Sequence, residues 1–197
     1  MKKFLGSFLI GLLAANVAFA IVDPDTNSMG IYFDGNADVY EYETNPLIEV
    51  MVYIILTNPD FGTLLGYEFG YQIVGNYVLV TYGLWGTGII DVGGGPGNHI
   101  VGLDAPMVTS PTTLLCALMI AVQDTNPIAF TLTGSIPNDI PGSQLPAVLL
   151  PGDIVIPIGL SSGLDSEGNP TVCAYINGTG VVATEQESWG NVKALYR

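Results

Sequence analysis

PLIEVMVYIILTNP (46–59), LLGYEFGYQI (64–73) and NYVLVT (76–81) are three consecutive segments that carry the pattern of β-strands, separated by Asn, Pro, Asp and Gly. In Tyr67–Ile73, aromatic and aliphatic residues alternate with small or polar ones, a period of two that is typical of a half-buried strand. Glu68 falls on the polar face of this strand, so we expect it to face water. The stretch 46–81 therefore predicts three consecutive β-strands joined by turns.

Two further observations extend this prediction. The segments Leu47–Leu56 and Thr112–Val122 (TTLLCALMIAV) are largely apolar on both faces, as expected of central strands. The second segment is also compatible with a buried helix, but Ser110-Pro111 before it and Asp124–Pro127 after it favour a strand. A β-branched run, Ile128–Thr133, follows as the next strand.

The remaining composition indicates many short strands and many turns. The chain has 25 Gly, 13 Pro and 49% hydrophobic residues, enough apolar mass for one core. The prolines within 134–170 restrict that region to short strands at 147–150 and 154–158, and Val172–Ile176 is the last strand predicted. We predict an all-β fold, a two-sheet antiparallel β-sandwich, over residues 21–183.

Both ends of the chain differ from this domain. Residues 1–20 combine Lys2-Lys3, an apolar run and Ala18-Phe19-Ala20, which predicts a Sec-type signal peptide cleaved after Ala20. An uncleaved anchor is the alternative; after cleavage we expect no membrane insertion. Residues 184–197 begin with the capping-box pattern TEQE and then space apolar residues helically, which predicts a short C-terminal amphipathic helix. The expected location is extracellular, at the cell surface or periplasmic.

Charge narrows the set of partners. The formal net charge is −14, and no Lys or Arg occurs between Ile21 and Val192. Nucleic acid and anionic membranes require positive charge, so neither is expected as a partner. Basic protein surfaces and divalent cations are the natural counterions, but solubility outside the cell is the favoured explanation of the charge.

Two cysteines and one acidic segment are candidate structural sites. An even cysteine count and an oxidising compartment favour a Cys116–Cys173 disulfide over two buried thiols. Asp23, Asp25, Asn27 and Asp34 stand at positions 1, 3, 5 and 12 of a calcium loop. Position 6, which should be Gly, is Ser, and position 12 is Asp rather than Glu. Calcium is therefore the one cofactor that the sequence raises, and an Asx-rich segment leading into a strand is the alternative.

Signals for catalysis are weak. His99 follows a Gly-rich stretch, 83–98, that we interpret as a long mobile connection, and it begins a short predicted strand, His99–Leu103. It has no His or Cys within metal-ligand spacing and no nucleophile motif near it. We interpret His99 as a loop or strand-edge residue and expect no enzyme. A secreted hydrolase that uses paired carboxylates stays open, because 18 acidic residues offer many pairs.

Two non-catalytic functions remain. One is an adhesion or binding module for a protein or glycan, with Tyr40, Tyr42, Tyr82 and Trp85 as its exposed aromatic platform. The other is a self-assembling subunit of a surface layer or filament, which joins the next copy through an edge strand or the C-terminal helix.

Four segments carry a family resemblance: Asp23–Asp34, Val50–Pro59, Gly66–Ile73 (GYEFGYQI) and Trp189–Arg197 (WGNVKALYR). In this order they resemble uncharacterised secreted bacterial proteins whose N-terminal domain is similar to cohesin-like and immunoglobulin-like β-sandwiches. The resemblance implies the fold, an extracellular location and, for a cohesin-like module, the binding of a partner domain. No binding residue is carried over, because the matching positions are core and turn positions.

Overall fold

The computed structural model describes residues 24–179, and this part of the chain contains strands and no helix. The strands are β1 (Ser28–Tyr32), β2 (Glu41–Tyr42), β3 (Glu49–Thr57), β4 (Thr63–Val74), β5 (Tyr77–Leu84), β6 (Ile90–Asp91), β7 (Asn98–Val108), β8 (Thr112–Val122), β9 (Ile128–Thr133), β10 (Ala147–Leu150), β11 (Ile154–Pro157), β12 (Gly159–Leu160) and β13 (Val172–Ile176). The all-β prediction is confirmed, and Thr112–Val122 is a strand rather than a helix.

A five-stranded sheet has the order β12-β1-β3-β8-β5. The two segments predicted as central strands, now β3 and β8, lie side by side in its middle and pair over their full length. Their inward residues, such as Val52 and Leu118, are fully buried. Part of the outward face is covered by residues 34–40, which makes a second small apolar cluster around Tyr32 and Ile55. The inward face of β3 and β8 is therefore apolar because it packs in the core, and part of the outward face is apolar because residues 34–40 cover it.

An eight-stranded sheet faces it, with the path β11-β10-β4-β9-β13-β2. Strand β7 occupies the other edge of β4 and carries β6. Strands β9 and β10 share one edge of β4 in succession, because residues 134–146 leave the sheet between them. Strand β4 is therefore the centre of this sheet, whereas β3 and β5, its neighbours in sequence, belong to the five-stranded sheet.

The sheets are mixed, so the prediction of a purely antiparallel sandwich is wrong in detail. The short edge strand β12 pairs with β1 in parallel, and β2 pairs with β13 in parallel, each through two residue pairs. Such pairs need long connections, which the segments that precede β12 and β13 provide. All other strand pairs are antiparallel.

The core lies between the two sheets. Tyr67 and Phe69 of β4 point into it with stacked rings whose centroids are 6.0 Å apart. The Tyr67 hydroxyl reaches the opposite sheet, where it accepts from the Trp85 backbone N–H (3.1 Å) and lies within donor range of the carbonyls of Trp85 (2.8 Å) and Leu115 (2.9 Å). This buried hydroxyl links β4 to β5 and β8.

The two cysteines are free thiols in this core, so the disulfide favoured by the sequence is absent and the alternative holds. Cys116 lies on β8 of the five-stranded sheet and is completely buried; Cys173 lies on β13 of the other sheet, with its thiol 3.3 Å from the Phe130 carbonyl. The even cysteine count reflects two separate core positions, since Cys is itself a common buried residue.

The predicted signal peptide (1–20) and C-terminal helix (184–197) lie outside the described residues. In residues 24–179 there is no helical segment of the length and hydropathy that crossing a bilayer requires.

Candidate functional site: a pocket floored by Glu68

A pocket of about 320 Å³ opens on the outer face of the eight-stranded sheet. Strand β4 forms its floor, β6 and β7 form one wall, and β10 and β11 form the other. The walls are mainly aliphatic, and the acidic side chains at the pocket are those of Glu68 and Asp139. The residues that line it are Tyr67, Glu68, Ile90, Val92, Ile100, Val101, Gly102, Asp139, Ala147, Val148, Leu149 and Val155.

The local sequence explains why a glutamate stands at the floor. Along the outward face of β4, Glu68 lies between Gly66 and Gly70. A Cβ atom at Gly66 would lie 2.6 Å from the Val101 carbonyl oxygen, and one at Gly70 would lie 2.5 Å from the Thr133 hydroxyl. Both glycines let neighbouring segments approach closely, and Glu68 is the one side chain left on this stretch.

Residues 134–146 close over Glu68 from one side, so its residue is only 3% exposed. The Ser135 hydroxyl donates to its Oε2 at 2.6 Å, and the Asp139 backbone N–H donates to its Oε1 at 3.1 Å. Both donors are neutral. The prediction that Glu68 faces water is therefore wrong, since a chain excursion far away in sequence covers the polar face of β4.

Electrostatics at the floor act against the charged form of Glu68. Burial raises the pKa of Glu68 above its ordinary value, and the nearby Asp139 charge acts in the same direction. The hydrogen bonds from Ser135 and Asp139 oppose this shift without overcoming it. The described part of the chain offers no compensating cation, because residues 24–179 contain no Lys or Arg.

A second acid, Asp91, lies on the other side of the same sheet. His99 on β7 is fully buried, and its Nδ1 is 2.7 Å from Asp91 Oδ2. Because a carboxylate only accepts, Nδ1–H is the donor. Partial burial raises the pKa of Asp91, but the His99 bond and the backbone N–H groups of Gly93 and Ile100 outweigh it, and the net pKa is lowered.

His99 is therefore a core residue and neither a loop nor a strand-edge position. Phe69, Tyr71 and Tyr82 surround its ring, with centroid distances of 5.2, 6.0 and 5.4 Å. The stretch 83–98, which we interpreted as a long mobile connection, contains β6 and a tight turn that holds Asp91 against His99. Such a buried pair supports folding rather than chemistry at a surface.

The four predicted aromatic residues do not form one platform. Tyr40 and Tyr42 lie at β2, on one edge of the eight-stranded sheet, whereas Tyr82 and Trp85 lie at β5, the edge of the other sheet next to β7. Tyr42 is 39% exposed and packs on Phe33, and Trp85 is 53% exposed. The two pairs thus lie on different sheets, and Tyr40 is partly buried against the core.

The predicted calcium ligands make turn contacts. Asn27 exchanges two hydrogen bonds with Asp60, and the Asp34 carboxylate accepts from the backbone N–H groups of Asn36, Asp38 and Val39. No group of three metal-ligating side chains occurs within residues 24–179. Asp23 lies outside the described residues, so calcium stays a prediction.

Two hydrogen-bond partners of Glu68 were missed by sequence reasoning. Ser135 and Asp139 lie in a proline-rich segment where nothing marks them as partners of a residue about 70 positions earlier. The signal at Glu68 itself was visible: an acid flanked by glycines on the same face of a strand whose other face is aromatic.

No protein-family model and no curated protein sequence matches the chain. Among solved structures, the sixth cohesin of scaffoldin B from Acetivibrio cellulolyticus, in complex with a Cel5 dockerin, matches with a TM-score of 0.53 and 10% identity, over 79% of this chain and all of that chain. This chain has a cohesin-like fold.

Two further cohesins are similar. A cohesin module of a family 33 glycoside hydrolase from Clostridium perfringens has a TM-score of 0.49 and 8% identity, over 77% of this chain and 97% of that one. The seventh type I cohesin of ScaB from Pseudobacteroides cellulosolvens has a TM-score of 0.42 and 12% identity, over 78% and 96%. The match to the Acetivibrio cohesin confirms the cohesin-like alternative of the sequence prediction at the level of the fold.

Proposed function

We propose that the protein is an exported, non-catalytic module that binds a protein partner through the outer face of its eight-stranded sheet, around the Glu68 pocket. The observation that carries the proposal is the pocket itself, an aliphatic depression with an acid at its floor on a cohesin-like sandwich. Partly exposed apolar side chains such as Ile90 and Leu149 surround it, the composition that interface centres favour. The similar Acetivibrio cohesin was solved with a dockerin, which makes a protein the first ligand to test.

The test is a binding assay of the full mature chain with purified dockerin modules and with cross-linked extracellular proteins of the source cells. A candidate counts once a one-to-one complex has been rebuilt from two purified components. Leu149→Asp, which places a charge in the pocket wall, is expected to abolish that complex. The matched control is Val78→Asp on the other sheet, which should leave binding intact. Loss of binding with Val78→Asp alone contradicts the proposal.

Self-association is a second candidate, and one observation favours it. Strand β5 is the edge of the five-stranded sheet, and its Val78 and Val80 are 52% and 47% exposed. Exposed apolar edge strands pair readily with another copy. Size-exclusion chromatography over a range of concentrations separates the two functions: growth into polymers that Val78→Asp suppresses supports assembly, and a persistent monomer supports the binding module.

A hydrolase acting through Glu68 and Asp139 is the enzymatic alternative. The neutral donors already hold both Glu68 oxygens, and the walls offer few polar groups for a sugar. Turnover of any member of a glycan panel, lost in Glu68→Gln, is the result that would establish an enzyme instead.

A further inference from the structure

We infer that the pocket takes the side chain of a lysine from the partner protein, with its ammonium group on Glu68 and its methylene stem along the aliphatic walls. The inference rests on the proposed function, since it names the chemistry that the same site recognises. Two independent features of the site lead to it: a buried acid without a counter-ion, and a pocket whose walls are aliphatic up to that acid.

The first feature is the charge. A buried carboxylate is stabilised when a cation pairs with it, and an unpaired one is costly. Glu68 is 3% exposed, its partners Ser135 and Asp139 N–H are neutral, and residues 24–179 supply no Lys or Arg. The buried cation candidate of this region, His99, points to the opposite side of the sheet, where it is held by Asp91. A counter-ion for the ionised form of Glu68 therefore has to come from outside residues 24–179.

The second feature is the shape and lining. Ile90 and Ile100 lie on one side of the floor, and Leu149 and Val155 on the other. A long aliphatic stem that ends in a charge fits such a channel, because lysine buries its methylene groups along apolar surface while its ammonium reaches a polar group. A free metal ion or a sugar would leave these walls without a partner.

The hydrogen bonds at Glu68 favour lysine over arginine. Ser135 occupies Oε2, and the Asp139 N–H lies 3.1 Å from Oε1 and 3.4 Å from Oε2. A guanidinium fork needs both carboxylate oxygens in one plane, whereas an ammonium is a compact point charge that needs one free lone pair. Oε1 accepts from the Asp139 N–H alone among the described residues, so its second lone pair is left for an ammonium.

The experiment uses the full mature protein and two small probes of equal chain length, n-butylammonium chloride and n-butanol. Titration is followed by the amide shifts of Ile100, Gly102, Ala147 and Leu149 in ¹⁵N-labelled protein. We expect saturable shifts with butylammonium and a dissociation constant about tenfold larger for butanol. A factor of this size is typical of a hydrogen bond to a charged group. Equal affinity for the two probes, or no saturable shift, overturns the inference.

Variants locate the effect. Glu68→Gln is expected to reduce butylammonium affinity about tenfold and to leave butanol binding unchanged. Ile90→Lys changes a 67% exposed residue at the pocket rim and brings the chain's own ammonium to the site, so it should compete with butylammonium. Val108→Lys, 76% exposed on β7 and absent from the pocket lining, is the matched charge control and should bind like the wild type. Full affinity in both Glu68→Gln and Ile90→Lys contradicts the inference.

Failure of the inference is distinguishable from failure of the proposed function. A partner complex that Leu149→Asp abolishes but Glu68→Gln does not weaken leaves the binding face intact and removes the lysine from it. Probe binding without any partner complex upholds the pocket chemistry and removes the proposed function.

Discussion

Glu68 and Asp91 are two acids of the same sheet, on strands that both pair with β7, yet their surroundings are opposite. Asp91 faces inward and has a ring N–H and two backbone N–H donors, one of them from a group that can carry positive charge. Glu68 faces outward under a loop and has neutral donors alone. Their pKa values move in opposite directions from their ordinary values. A charge that is satisfied within the fold stabilises it, whereas an unsatisfied one marks a place where a ligand can supply what is missing.

The largest effect on stability is expected from a substitution in the buried His99–Asp91 pair. His99→Ala removes a fully buried ring that contacts three aromatic rings and also removes the Asp91 partner. We expect a loss of about 3 kcal/mol or more in the free energy of unfolding, typical of truncating a large buried side chain. Chemical denaturation monitored by fluorescence measures it, and Val108→Ala on the same strand is the exposed control. A loss below about 1 kcal/mol would show that the pair does not organise this part of the core.

Asp91→Asn tests the charge itself. The substitution keeps the shape but weakens the bonds to His99, Gly93 and Ile100, and we expect a loss of about 2 kcal/mol at neutral pH. Because the folded pKa of Asp91 is lowered, its contribution is present above the unfolded value of 3.8 and is lost as pH falls through the folded pKa. The free energy of unfolding should therefore depend less on pH in the variant than in the wild type between pH 7 and pH 2. Parallel plots of this free energy against pH for the two proteins would contradict the prediction.

Glu68→Gln should show the opposite pH dependence and a smaller effect. The folded pKa of Glu68 is raised, so its contribution is fully present below 4.5 and is lost as pH rises through the folded pKa. The amide cannot ionise, so we expect the variant to match or exceed wild-type stability at pH 8, by about 1 kcal/mol, and to lose that advantage at pH 4. A variant that is less stable than the wild type at pH 8 would show that the Ser135 and Asp139 bonds outweigh the cost of the buried charge.

The contrast between Glu68 and Asp91 also shows which features of the fold the sequence predicts. Local periodicity predicted β3, β4, β5, β8, β9 and β13 correctly, because each has an alternating or doubly apolar pattern that its neighbours do not alter. The pattern of β4 also placed Glu68 on the face away from the aromatic core. That this face is covered depends on β10 and residues 134–146, which join β4 only through long-range pairing.

The sequence also failed to predict the buried His99–Asp91 pair, for a related reason. His99 sits next to five residues of Gly-rich sequence, which locally favour a loop, but Gly93 is required because a Cβ there would lie 2.3 Å from the Asn98 carbonyl oxygen. The glycines allow a tight return that sets Asp91 beside His99, eight positions apart. Composition therefore marked the segment correctly as turn-rich and gave no information on which side chains the turn brings together.

The smallest effect is expected for the two thiols. It tests whether a disulfide, rather than the His99–Asp91 pair, stabilises the core. Burial raises the pKa of both Cys116 and Cys173 to about 12, and the Asp91 charge adds to the shift at Cys116 alone. At pH 8 the native protein should therefore react negligibly with a thiol reagent, and both thiols should react after unfolding.

A reducing agent should leave the melting temperature unchanged, since no disulfide exists to be broken. A disulfide across so long a loop would instead contribute about 4 kcal/mol, and its reduction would lower the melting temperature by many degrees. If such a drop is observed, much of the stability assigned here to the His99–Asp91 side belongs to a covalent link between the sheets.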